Sequence, residues 1–306
     1  MKKLFPVFTL ALIQFLCSCQ NQESSEKEMP TVVATTSILG DAVSVLLEGV
    51  DSVQTLALMG PGVDPHLYKP SQGDITQLSN ANLIVYNGLR LEGKMQGVLE
   101  KLKNKPVFAA GKALNEGDLI NATEFGGAYD PHIWFDPLLW KQVIKGLSEK
   151  LKKQFPQYLA QIEKNEQTYQ QKLDILHRNT ILLLDNIQED QRILVTAHDA
   201  FKYFGRVYQI QVEGLQGIST TAEYGIKDVG LLADLIAENS IKAIFVESSV
   251  PKRSIEAVLN ACESRGAQVV LGGELYSDAL GGPDSNADTY LKMFQHNVET
   301  ITTALQ

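Results

Sequence analysis

Cysteine is almost missing from this chain. Its 306 residues include three, and two of them, Cys17 and Cys19, lie in the N-terminal leader. Only Cys262 remains beyond it, so no internal disulfide can hold the fold. The neighbours Val258-Leu259-Asn260-Ala261 mark Cys262 as a buried helical residue rather than a ligand. Histidine is nearly as scarce, with five in all. No His-Glu-x-x-His pair occurs, which removes the usual helical zinc-peptidase signature. Positive charge is also in deficit. The formal net charge is −9, and an acidic chain makes a poor nucleic-acid binder. Past the leader, no apolar run is long enough to span a membrane. Hydrophobic content of 44% and charged content of 21% are otherwise ordinary for a globular protein.

The leader has its own logic. Lys2 and Lys3 form a basic start, Leu4 to Leu16 is mostly apolar, and Leu16-Cys17-Ser18-Cys19 follows. This is a secretory signal, too short to remain as a membrane helix. The last four residues resemble a bacterial lipobox, which implies a signal peptide over residues 1–18 and lipidation of Cys19. Residues 19–30 are polar and charged and suit a flexible tether. Loss of residues 1–18 removes Lys2 and Lys3 and no acid, so the net charge moves from −9 to −11. The expected location is extracytoplasmic, lipid-anchored to a bacterial membrane.

Strand-like runs alternate with helical patterns in both halves of the remainder. The first half has strands at Thr31–Ile38, Val53–Leu58, Leu83–Asn87 and Val107–Ala110, with helices at Gly40–Leu47, Ser71–Ser79 and Lys94–Lys103 between them. The second has strands at Arg192–Thr196, Gln211–Gly214, Ala243–Glu247 and Gln268–Leu271. Its helices are Ala200–Tyr208, Lys227–Asn239, Ser254–Arg265 and Asp288–Leu305. That rhythm predicts α/β architecture built from parallel βαβ units. Between the halves, Leu138–Gln188 is rich in Lys, Gln, Glu and Leu, which favour helix. Pro156 permits a break, so one helix or two fits.

Three of the histidines sit just past strand-like runs, where open α/β sheets place ligands. His66 lies in Val63-Asp64-Pro65-His66, and His132 in Asp130-Pro131-His132-Ile133-Trp134-Phe135-Asp136-Pro137. His198 lies in Thr196-Ala197-His198-Asp199. Two Asp-Pro-His tripeptides are an improbable coincidence in a chain with so few histidines, and each proline stiffens its turn. Trp134 and Phe135 are expected to wall the site from water. His198 is expected to open a helix and so stay neutral. Asp278, in Gly272-Gly273-Glu274-Leu275-Tyr276-Ser277-Asp278, follows a further strand after a glycine turn; its rivals as the carboxylate ligand are Glu274, Asp284 and Asp288. Three imidazoles and a carboxylate suit one divalent transition metal. Glu247, at a strand end, is expected to accept a hydrogen bond from a ligand imidazole. Thr220, Thr221 and Glu223 are candidates to line the cleft. His177 and His296 read as surface residues.

The chain resembles the metal-binding solute-binding proteins of zinc and manganese ABC importers, cluster A-I or cluster 9. The matching stretches run from Val32-Val33-Ala34-Thr35-Thr36-Ser37-Ile38 through the two Asp-Pro-His motifs, Val195-Thr196-Ala197-His198-Asp199-Ala200-Phe201-Lys202-Tyr203-Phe204 and Phe245-Val246-Glu247-Ser248-Ser249, to Gly272–Asp278. The resemblance implies two lobes, residues 31–137 and 189–306. Each would be a four-stranded parallel sheet with flanking helices, joined by a long rigid backbone helix in residues 138–188. It implies one Zn²⁺ or Mn²⁺ as cargo in the cleft, bound by His66, His132, His198 and Asp278 and delivered by a non-enzymatic, monomeric protein to the transmembrane subunit of an ABC permease. The dedicated zinc branch carries a His-rich loop, whereas Ser79–Tyr129 contains no histidine. Alternatives are a zinc metallohydrolase, an adhesin-type surface lipoprotein and, last, a sugar or siderophore binder. Free imidazoles titrate near 6.5, so metal affinity is expected to fall steeply below about pH 6.

Overall fold

A computed structural model describes residues 29–306 other than 103, 124 and 125. The leader, Cys19 and nearly all of the tether therefore lie outside the described residues. No helix among the described residues is long and apolar enough to cross a membrane.

The first lobe is a parallel sheet of β1 (Thr31–Ala34), β2 (Gln54–Ala57), β3 (Leu83–Tyr86) and β4 (Val107–Ala109), in the order β2-β1-β3-β4. Its crossovers are α1 (Ser37–Leu46), α2 (Gln72–Asn80) and α3 (Gln96–Lys101). A short antiparallel hairpin, β5 (Asn121–Ala122) and β6 (Ala128–Tyr129), follows. The connection is two helices, α4 (Pro137–Gln154) and α5 (Leu159–Leu184). Asp136 caps α4 by accepting from the Leu138 and Leu139 N–H groups, and Pro137 occupies the first turn, where no N–H is missed. Phe155 and Pro156 break the chain between them. The connector proper is α5, whose 26 residues span roughly 39 Å. Its buried stripe is Ile162, Tyr169 and Leu173, while Leu159, Ile175 and Leu182 stay exposed.

The second lobe repeats the plan with β7 (Ile193–His198), α6 (Lys202–Tyr208), β8 (Gln211–Gln216), α7 (Ile226–Glu238), β9 (Ala243–Glu247), α8 (Arg253–Glu263), β10 (Val270–Leu275) and α9 (Tyr290–Leu305). Its ladders are two parallel pairs, β7 with β8 and β9 with β10. β7 lies beside β9, giving the spatial order β8-β7-β9-β10, the same as in the first lobe. Gly272 and Gly273, expected as a turn, instead fall inside β10 at a break in register, a β-bulge.

Both sheets are two-sided by the period of two that a strand imposes. Val32, Ala34, Leu83 and Val85 face a central core, and Val33 and Ile84 face an outer one. In the second lobe Ala243 and Phe245 face the same central core, and Ile244 and Val246 face a second outer one with α7, α8 and the buried Cys262. The central core is continuous through α1, α4, α5, α6 and α9. Trp140 stacks on Tyr290 at 5.3 Å, and Phe135 packs tilted against Phe201 at 4.3 Å. One apolar core shared by both sheets resists hinge opening, because packed interiors deform little.

Candidate metal centre

All four expected ligands come together. One ligand atom from each of His66, His132, His198 and Asp278 lies within 4.8 Å of the others, and all four residues are buried. His66 Nε2 is 3.4 Å from His132 Nε2, and Asp278 presents Oδ1 to His132 Nε2 and Oδ2 to His198 Nε2, each at 3.4 Å. His198 Nε2 and Asp278 Oδ1 have no hydrogen-bond partner despite burial. Buried polar atoms left in that state are costly, and three nitrogens with a carboxylate fit the donor set of Zn²⁺ and related divalent ions.

Local chemistry sets each side chain. His66 follows β2 in a turn where Asp64 Oδ1 accepts from the His66 N–H at 2.8 Å. His132 follows the β5–β6 hairpin rather than a strand of the main sheet, and Asp130 Oδ1 accepts from its N–H at 2.9 Å. The same Asp130 oxygen lies 2.8 Å from His132 Nδ1, which fixes Nε2 toward the centre. His198 is the last residue of β7, three residues short of the helix cap. Glu247 Oε1 accepts from its N–H at 2.8 Å and Oε2 lies 2.5 Å from its Nδ1. Gly214 makes room for it: a Cβ there would meet the Asp199 nitrogen at 2.6 Å. Asp278 follows β10, with Ser249 Oγ 3.3 Å from its Oδ2.

Charge follows from these neighbours. Burial pushes the His66 imidazole down to about 3, with the Asp278 carboxylate opposing. For His132 burial acts downward too, but the charge and hydrogen bond of Asp130, with Asp278, lift it to about 9. His198 likewise resists burial through Glu247 and Asp278 and is held well above the ordinary range. A helix end therefore does not keep His198 neutral, because α6 begins only at Lys202. Burial works to raise the Asp278 carboxyl, yet His198 and His132 hold it well below the usual carboxylate range.

Trp134 walls the site, 5.3 Å from His132, and its Nε1 donates to Ser277 O in the other lobe at 3.0 Å. Tyr290 Oη donates to Trp134 O at 2.7 Å. Thr220 Oγ1 donates to Asp64 Oδ2 across the cleft at 2.6 Å. Glu223 is exposed. The rival carboxylates are elsewhere: Glu274 pairs with Lys252, Asp288 with Lys292, and Asp284 is exposed. His177 and His296 are half-buried rather than superficial, bonded to Tyr208 Oη and Glu274 O. Sequence reasoning missed the roles of Asp64 and Asp130. The signal was present, since an Asp two residues before a backbone N–H is the ordinary Asx turn.

The chain matches the family described as ZnuA, zinc-uptake complex component A periplasmic, over residues 32–304. It is 44% identical to the manganese-binding lipoprotein MntA of Bacillus subtilis over 95% of this chain and 94% of that protein. It is 41% identical to the zinc-binding protein TroA of Treponema pallidum over 93% and 92%. The solved periplasmic zinc-binding TroA from Treponema pallidum superposes with a TM-score of 0.87, at 42% identity, over 90% of this chain and 99% of that one. Fe(III)-bound YtgA from Chlamydia trachomatis superposes with a TM-score of 0.81 at 29% identity, over 90% and 98%.

Proposed function

The chain belongs to the zinc-uptake complex component A family, and on that premise we propose that it captures one divalent transition metal between its lobes for an ABC importer. It is a metal-binding substrate-binding protein of the zinc and manganese class, and not an enzyme. His66, His132 and His198 supply nitrogen, and Asp278 supplies one or two oxygens. Glu247 and Asp130 orient His198 and His132. The lobes are residues 31–137 and 189–306, with 138–188 as the connector. Lipidation at Cys19 anchors the monomer outside the cytoplasm, and the transmembrane subunit of the permease receives the ion.

The observation that carries this reading is the convergence of four buried donor groups from four separate segments of the chain. Burial of all four leaves little room for a hydrolytic substrate beside the ion, which disfavours the metallohydrolase alternative. By the ordinary affinity series the isolated protein holds Zn²⁺ more tightly than Mn²⁺. Metal analysis of the purified protein, then Zn²⁺ and Mn²⁺ titrations of the three His→Ala variants, tests the assignment. One ion per chain in the wild type and weakened binding in every variant is expected. Unchanged affinity in any variant removes that residue from the site.

A further inference from the structure

One ligand is unlike the others in what holds it. Nδ1 of His132 and Nδ1 of His198 each face a carboxylate, Asp130 at 2.8 Å and Glu247 at 2.5 Å, but the buried Nδ1 of His66 has neither a carboxylate nor a hydrogen-bond partner among the described residues. His66 alone among the four also lines an open pocket of about 190 Å³, shared with Arg90, Lys94, Ser219 and Thr221. His132, His198 and Asp278 do not line it.

The pocket carries the wrong charge for a bare cation. Arg90 and Lys94 are exposed, and neither has a carboxylate partner among the described residues. Their placement is built into the loop. Leu89 and Arg90 adopt φ of 52° and 65°, a left-handed conformation that disfavours side-chain-bearing residues. The buried Glu92 carboxylate secures that turn by accepting from Thr35 Oγ1 and from the Asn87 and Gly88 N–H groups. Two positive groups at the mouth of a cation site repel the free ion and attract an anion.

Resting on the metal-binding reading above, we propose that His66 is the exchange ligand, and that a carboxylate seated by Arg90 and Lys94 enters through this pocket to take the ion. A carboxylate oxygen bonds the ion as His66 Nε2 leaves it, so the number of donors is kept and no electron moves. The carboxylate comes either from an acidic side chain on the importer or from a small polycarboxylate such as citrate.

The experiment follows Zn²⁺ leaving the loaded full-length protein by stopped flow, into EDTA or into the neutral chelator terpyridine. In the double variant R90Q/K94Q, transfer to EDTA should slow at least about tenfold, with terpyridine transfer and equilibrium affinity nearly unchanged. Citrate that speeds wild-type transfer to terpyridine, but not that of the double variant, assigns the small-molecule source. Acceleration only by vesicles holding the permease assigns the importer side chain. Equal rates in wild type and variant, equal slowing with both chelators, or no acceleration by citrate or vesicles overturns the route. A titration showing no bound ion sinks the metal-binding reading itself; a normal titration with acceptor-independent rates sinks the exchange route alone.

Discussion

The two Asp-Pro-His turns share a tripeptide and a backbone clamp, yet they deliver their imidazoles differently. In both, the Asp Oδ1 accepts from the His N–H, at 2.8 Å for Asp64 and 2.9 Å for Asp130. Asp130 then uses that same oxygen on His132 Nδ1. Asp64 instead turns its second oxygen to Thr220 in the opposite lobe and leaves His66 Nδ1 bare. A short motif thus dictates the turn, while the surrounding packing decides whether the ring is locked. The locked turn lies inside the shared core beside Trp134, and the unlocked one borders the open pocket.

The largest effect should come from removing a locked ligand. His132→Ala is expected to weaken Zn²⁺ binding by well over the roughly 10–100-fold typical of an outer partner. Calorimetry adds a second readout. At an ion concentration about a thousand times Kd, bound metal stabilises a protein by about 4 kcal/mol, and most of that gain should vanish in the variant. Retention of wild-type affinity would mean the locked ring is not a ligand.

Proton competition comes next. In the empty site His132 is raised to about 9 by Asp130 and Asp278, and Glu247 and Asp278 hold His198 well above the ordinary imidazole range, whereas burial lowers His66 to about 3. Below its own raised pKa an imidazole is protonated, and the ion must expel that proton to bind. Affinity should therefore keep climbing between pH 6 and 9, by about tenfold per unit for each proton displaced, rather than level off above 6 as unperturbed imidazoles would have it. The same titration in buffers of different ionisation enthalpy should show proton release on binding at pH 7. A flat affinity from pH 6.5 to 9 contradicts the charge state assigned to the locked pair.

The two aspartates separate the turns directly. Asp130→Asn removes the charge that orients and raises His132, and a loss of roughly 10–100-fold is expected. Asp64→Asn keeps an oxygen for the His66 N–H and touches no ring nitrogen, so its cost should stay below about tenfold. Binding constants measured side by side decide it, and an equal or larger loss for Asp64→Asn would erase the distinction between the turns.

Much of this was legible because the relevant signals are local. The strands announce themselves by alternation, and Val32, Val33, Ile84 and Ile244 fall on the faces their parity demands. The four candidate ligands stood out by the rarity of histidine and by their position at or just past strand-like runs, although His198 lies at the end of β7 and His132 follows the β5–β6 hairpin. What was hidden depends on contacts between distant segments. The sequence suggests a helix start for His198, but β7 runs through it because Glu247, 49 residues away, takes up its N–H. Gly272 and Gly273 read as a turn because a bulge has the same composition. Nothing in the local sequence singles out Glu92, because the Thr35 hydroxyl that donates to it comes from 57 residues away.

The smallest expected effect tests the contact that takes Asp64 away from His66. Thr220→Val deletes the hydroxyl that donates to Asp64 Oδ2 and leaves that oxygen without its partner. Burial, and then the Asp278 charge, already raise the Asp64 carboxyl, and the Thr220 hydrogen bond opposes them. Losing it raises the carboxyl further, because the charged form loses its donor. The penalty therefore belongs to the ionised state. It should be fullest at pH 7.5, amounting to a few-fold in affinity for about 1 kcal/mol, and should diminish from there toward pH 5, the direction in which a carboxylate gains its proton. Comparing the ratio of variant to wild-type Kd at the two pH values cancels the proton competition at His132 and His198, which both proteins share. A ratio that grows toward acid would mean that Thr220 holds the turn by shape alone, and that the unlocked state of His66 owes nothing to this bond across the cleft.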